Sequence, residues 1–104
     1  MITVITIKNN RGEICGFEID GHAGFAKSGS DIVCSAVSVL ALNCANSIEA
    51  FTEDKIVGNN EDGHVFVSLP DTISDKSRLL LDSFFLGIKS IIDEYKGKYV
   101  SLKL

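Results

Sequence analysis

His22 and Cys34 are the two side chains whose types and spacing allow a nucleophile with its own base, and both fall within one stretch from Gly21 to Ser38. A cysteine attacks as the thiolate, and an ordinary thiol pKa of about 8.5 leaves little thiolate at neutral pH unless its surroundings favour the anion. The first turn of a helix is such a place. With Ser30 or Asp31 as N-cap, Cys34 is expected at the third or fourth helical position, among unpaired backbone N–H groups and at the positive end of the helix dipole. Eleven residues, Ala23 to Val33, separate it from His22, enough chain to fold the imidazole back onto the helix start. So placed, His22 takes the thiol proton and returns it to a leaving amine, while amides at the helix N-terminus hold the tetrahedral oxyanion.

Other polar groups near this pair have simpler expected roles. Asp31 is expected as a helix cap, alone or while also orienting the imidazole. Ser38, one turn beyond Cys34, either hydrogen-bonds near the site or back-bonds within the helix, and back-bonding is the expectation. Gly21, Gly24 and Gly29, together with Phe25 and Ser30, read as a mobile loop bordering the site. Cys44 follows Cys34 by ten residues on one helix, about 15 Å, whereas disulfide Cα atoms lie within about 7 Å. No metal is expected, because His22, Cys34 and His64 lack a short paired ligand spacing. His64 reads as an exposed residue at a strand edge beside a turn.

The elements that must position these groups follow from periodicity. Thr3–Lys8 and Glu13–Asp20 alternate with period two around Asn9, Asn10, Arg11 and Gly12, a β-hairpin whose second strand turns Cys15, Phe17 and Ile19 to one face. A helix is expected from Ser30 or Asp31 to about Phe51, apolar on nearly every side and so covered on more than one flank. Lys55–Gly58 and His64–Leu69 form a second hairpin around residues 59–63, with Val65, Val67 and Leu69 inward. A second helix starts after a cap at Ser74 or Asp75. Its face is Leu79, Leu80, Ser83, Phe84, Gly87, Ile88, Ile91, Ile92 and Tyr95, and Gly97 stops it. A last strand, Tyr99–Leu104, turns Val100, Leu102 and Leu104 inward. The order β-β-α-β-β-α-β makes an α+β two-layer sandwich, helices packed on a mixed or antiparallel sheet.

Composition narrows the function classes. The 104 residues show no linker, repeat or shift in composition, which gives one domain over residues 1–104. The net charge of −4 with scattered Lys and Arg disfavours a nucleic-acid partner and leaves a basic peptide open. Residues 1–7 lack the features of a secretory signal, so a cytoplasmic location is expected. The apolar run Ile32–Leu42 is shorter than the roughly 20 residues a bilayer requires. A mean hydropathy of +0.22 is high for so small a chain and suggests apolar surface shared with a second copy.

The segment Gly21-His22-Ala23, a glycine-containing loop, and Asp31-Ile32-Val33-Cys34-Ser35-Ala36-Val37-Ser38 resembles the ribosomal-processing cysteine proteases of the Prp family. The order of elements and the length fit that family along the whole chain. The resemblance implies a bacterial enzyme of Firmicutes and their relatives, with no cofactor. It implies removal of a short N-terminal extension from large-subunit ribosomal protein number 27, just after paired phenylalanines. It places the nucleophile at Cys34 and the base at His22, and it implies a homodimer. Two other readings compete: a non-enzymatic module that docks on a ribosomal component, and a thiol redox sensor, against which the lack of a resolving cysteine counts.

Overall fold

The computed structural model describes residues 1–21, 28–61 and 63–104, and for residues 28–31 the backbone only. β1 (Ile2–Lys8) and β2 (Ile14–Asp20) form the first hairpin, in register from Thr3 opposite Asp20 to Ile7 opposite Gly16. Its turn is held by the Asn9 side-chain oxygen, which accepts from the amides of Arg11 (2.9 Å) and Glu13 (3.0 Å). β3 (Val57–Glu61) and β4 (His64–Ser68) form the second hairpin, and β4 pairs antiparallel with β2. β5 (Val100–Lys103) lies parallel to β1. The result is one mixed sheet in the order β3-β4-β2-β1-β5.

Two strand expectations need correction. The first arm of the second hairpin is Val57–Glu61, not 55–58, and only residues 62 and 63 separate it from β4. Asn59 and Asn60 therefore pair with Phe66 and Val65 instead of turning. They can do so because β3 is an edge strand exposed along its whole length, where a polar side chain stays hydrated. The last strand ends at Lys103, and Leu104 is 81% exposed, not inward.

α1 (Ser28–Phe51) and α2 (Asp75–Glu94) pack side by side on the sheet, completing the two-layer sandwich. Ser74 caps α2, its hydroxyl accepting from the Ser77 amide at 3.2 Å. Gly97, at φ 71°, ends it, its amide donating to the Ile92 carbonyl at 2.8 Å. Phe17 stacks on Phe84 at 4.0 Å between centroids, and Phe85 meets both edge-on. Burying each such ring contributes roughly 1.5–3 kcal/mol. The helices approach closely where Gly87 faces Leu40; a Cβ at Gly87 would lie 2.9 Å from a Leu40 methyl.

The helical expectations need three adjustments. α1 begins at Ser28, so Ser30 and Asp31 lie inside its first turn instead of capping it. The buried stripe of α2 is Ser77, Leu81, Phe84, Phe85 and Ile88, which leaves Leu79 and Ser83 exposed. The runs Leu79–Leu81 and Phe84–Leu86 permit more than one phase, and packing of Phe84 and Phe85 against Phe17 selects this one. Finally, α1 is not covered on several flanks by its own chain. Val33, Val37, Ala41, Cys44 and Ile48 are buried in one stripe, while Ile32 (59%), Val39 (64%) and Leu42 (45%) are exposed. The stretch Ile32–Phe51 is 20 residues with a mean hydropathy of 1.5, so by length and composition alone it is long enough to cross a membrane. Here that buried stripe packs into the common core with the sheet and α2.

Candidate active site

β2 leaves the sheet at Gly21, whose φ of 92° only glycine adopts without strain. A Cβ there would lie 2.5 Å from the Met1 carbonyl, and the Gly21 amide donates to the Gly63 carbonyl at 3.0 Å. The departure point of the chain is thus wedged between the first residue and the tip of the second hairpin. His22 follows immediately, but it lies outside the described residues, as do Gly24, Phe25 and the expected loop between them. The side chains of Ser30 and Asp31 lie outside them too, while Gly29 is in the first turn of α1.

Cys34 is half-buried between the fully buried Val33 and the core residue Val37. It is the seventh residue of α1, counting Ser28 as the first, and so stands in the second turn. The amides without an intrahelical acceptor belong to the turn before it. The field of the helix end also falls off within that turn, so it assists a thiolate at Cys34 less than the sequence led one to expect.

The thiol opens onto a cavity of about 340 Å³ between α1 and the tip of the second hairpin. Ile2, Ile19, Val37 and Val65 make its apolar side, and Asn60, Glu61 and His64 its polar side. Gly21 and Ser38 line it as well, so the structure brings both of them to Cys34. His64 is the residue that sequence reasoning missed. It stands on β4, an interior strand, with Asp20 and Glu61 opposite it on the two neighbouring strands. Its Nε2 is 3.8 Å from a Glu18 carboxylate oxygen. The available signal was the Asp-Gly pair at positions 62 and 63, a sequence that favours two-residue hairpin connections and so would start the next strand at His64.

The other two thiols are placed differently. Cys15 is buried and its pKa is raised by that burial. Cys44 is buried, donates to the Leu80 carbonyl at 3.7 Å, and is pushed up by desolvation to about 11. Both are inert as nucleophiles at neutral pH. Among the described residues, no group of three or more His, Cys, Asp or Glu is placed to hold a metal.

A half-buried cysteine in the second turn of a helix, lining a cavity beside a sheet end, is where a thiol could meet a ligand, and comparison with known proteins decides the class of chemistry. The family model described as cysteine protease Prp matches residues 1–101. The chain belongs to the Prp cysteine protease family. It is 32% identical over 97 residues to the ribosomal processing cysteine protease Prp of Staphylococcus aureus, covering 91% of this chain and 92% of that protein. To the Bacillus subtilis protein of the same name it is 28% identical over 102 residues, covering 92% and 91%. Two crystal structures of S. aureus Prp superpose on it. One, with a substrate peptide, has a TM-score of 0.87; the other, with a covalently linked product peptide, has 0.86. Each is 30% identical and covers 99% of this chain and 98% of the other. As a Prp family member the chain is a cysteine protease, and the cavity at Cys34 is its candidate peptide-binding cleft.

Proposed function

We propose that Cys34 is the nucleophile and His22 the general base of a peptidase that removes the N-terminal extension of large-subunit ribosomal protein number 27, cutting after paired phenylalanines. The observation that carries this reading is the half-buried Cys34 thiol opening onto a cavity while the other two thiols are sealed in the core. His22 takes the thiol proton and the sulfur attacks the scissile carbonyl carbon. The tetrahedral oxyanion then collapses, the C–N bond breaks, and the amine leaves with the proton from His22. Water, deprotonated by His22, attacks the thioester; the C–S bond breaks and the thiol regains its proton. Because Cys34 stands in the second turn of α1, its activation rests more on the imidazole than on the helix end. Asp31, in the first turn, is the carboxylate that orients His22 in this scheme.

The apolar side of the cavity, Ile2, Ile19, Val37 and Val65, suits a phenylalanine ring. The acidic chain favours encounter with a basic ribosomal protein without deciding which bond is cut. The enzyme works in the cytoplasm as a homodimer. The exposed Ile32 and Val39 on α1 and Leu79 and Leu86 on α2 supply the shared apolar surface. Mass spectrometry of the full-length ribosomal protein incubated with wild type, Cys34→Ala and His22→Ala under reducing conditions tests the chemistry. Removal of the extension by wild type alone is expected. Cleavage by Cys34→Ala would refute the assignment, and no cleavage by wild type would favour a docking module.

A further inference from the structure

Both helices pack on one face of the sheet, where Val4, Phe17, Ile19, Val67 and Val100 are buried. Alternation turns the residues between these to the opposite face, which no element among the described residues covers. Strand register arranges that face in rows. Glu61, His64 and Asp20 stand side by side on β3, β4 and β2. The next row is Asn59, Phe66, Glu18, Ile5 and Lys103. Three carboxylates therefore share the β3-β4-β2 side of the face, about 10 Å across, and the one lysine of these rows lies at the far edge, on β5. Among the described residues the single ion pair on this face is His64 with Glu18, at 3.8 Å.

Carboxylates alone would make only a hydrated surface. Here Glu18 stands between the half-buried Ile5 and Phe66, so an aliphatic stem can lie on apolar surface while its charged head meets the carboxylate. That combination fits lysine and arginine. The apolar surface assigned above to a second copy lies on the helices and leaves this face free. The face also adjoins the chemistry. Glu61 and His64 line the Cys34 cavity, and Asp20 precedes Gly21, which lines it too. A chain passing from the cavity over this end of the sheet to its open face covers about 10 Å, the reach of about three extended residues.

We propose that the open sheet face is an exosite for a lysine- and arginine-rich segment of the substrate beyond the cut, which meets Glu18 and Asp20 from about three residues downstream. The proposal rests on the peptidase reading above. The downstream side is chosen because it belongs to the mature ribosomal protein, whose partner in the ribosome is RNA and whose surface is accordingly basic.

The test uses two peptides with the same sequence around the cut, one with a basic segment downstream and one with its Lys and Arg replaced by Ser. In the wild type, KM for the basic peptide is expected to be at least about fivefold lower, and the gap to close between about 50 mM and 500 mM salt. In Glu18→Gln/Asp20→Asn, KM for the basic peptide is expected to rise to that for the neutral one, while kcat/KM for the neutral peptide stays within about twofold of wild type. Asp82→Asn/Asp93→Asn, the same change of charge on the exposed side of α2, is expected to behave as wild type. Equal KM for both peptides in the wild type, an unaffected Glu18→Gln/Asp20→Asn protein, or an equal loss in the α2 variant would overturn the exosite while leaving the peptidase intact. Loss of neutral-peptide cleavage in Glu18→Gln/Asp20→Asn would overturn it too, by assigning these carboxylates to support of the cleft. Cleavage of neither peptide by wild type would overturn the peptidase reading itself and the exosite with it.

Discussion

The two ends of α1 are built for opposite purposes. At the C-terminal end, the Thr52 hydroxyl donates to the Ile48 carbonyl at 2.7 Å and accepts from the Asp54 amide at 3.1 Å. Asp54 in turn accepts from the Ser74 amide (3.0 Å), the Ser74 hydroxyl (2.6 Å) and the hydroxyl of Ser77. One carboxylate thereby ties the end of α1 to the start of α2, and Ser77 is entirely buried beneath it. At the N-terminal end, Cys34 opens onto a cavity bordered by a hairpin tip and by the glycine where β2 leaves the sheet. The contrast shows how a small chain holds a reactive group in register: the helix is fixed at the end away from the chemistry, and the other end is left accessible.

The comparison can be broken at several points. Cys34→Ala should lower cleavage by at least about a thousandfold in a peptide assay while leaving the thermal midpoint nearly unchanged, because the thiol is a reagent and not a support. Phe17→Ala, at the centre of the aromatic cluster, should cost about 3–5 kcal/mol by denaturant unfolding. Ser74→Ala removes the α2 cap and should cost about 1 kcal/mol with kcat unaffected.

Asp54 gives a weaker, pH-dependent signature. Its hydrogen bonds to Ser74 and Ser77 hold its carboxyl below the ordinary value of 3.8, so it binds a proton less readily folded than unfolded. Its contribution is therefore fully present above that value and is lost as pH falls through the lower folded value. In Asp54→Asn, stability should be lower at neutral pH and its decline below pH 3.8 shallower, as read from unfolding midpoints across an acid series.

Much of this was legible in the sequence. α2 announced itself through Ser74, its apolar period and Gly97, because cap and stop are local chemistry, whereas the phase of its buried face was set by packing against Phe17. The inward face of β2 was equally plain. In β1, Ile and Thr occur on both faces, and only pairing with β2 and β5 puts Ile2, Val4 and Thr6 inward. The second hairpin misled because Asn59 and Asn60 look like turn residues, yet an edge strand tolerates them. For the site, the motif around Cys34 was readable, and Cys34 lines the cavity. The part played by His64, Asn60 and Glu61 was hidden, since it arises from long-range pairing of β4 with β2. The surplus apolarity of α1 was visible too, but not that its own chain would bury only one stripe of it.

The most direct test of the central claim is acid-quenched intact-mass analysis of the enzyme during turnover of the extension peptide, followed by peptide mapping. The account predicts a transient adduct of the upstream fragment on Cys34, absent in Cys34→Ala and not formed on Cys15 or Cys44. An adduct on either buried cysteine, or turnover that persists in Cys34→Ala, would contradict it.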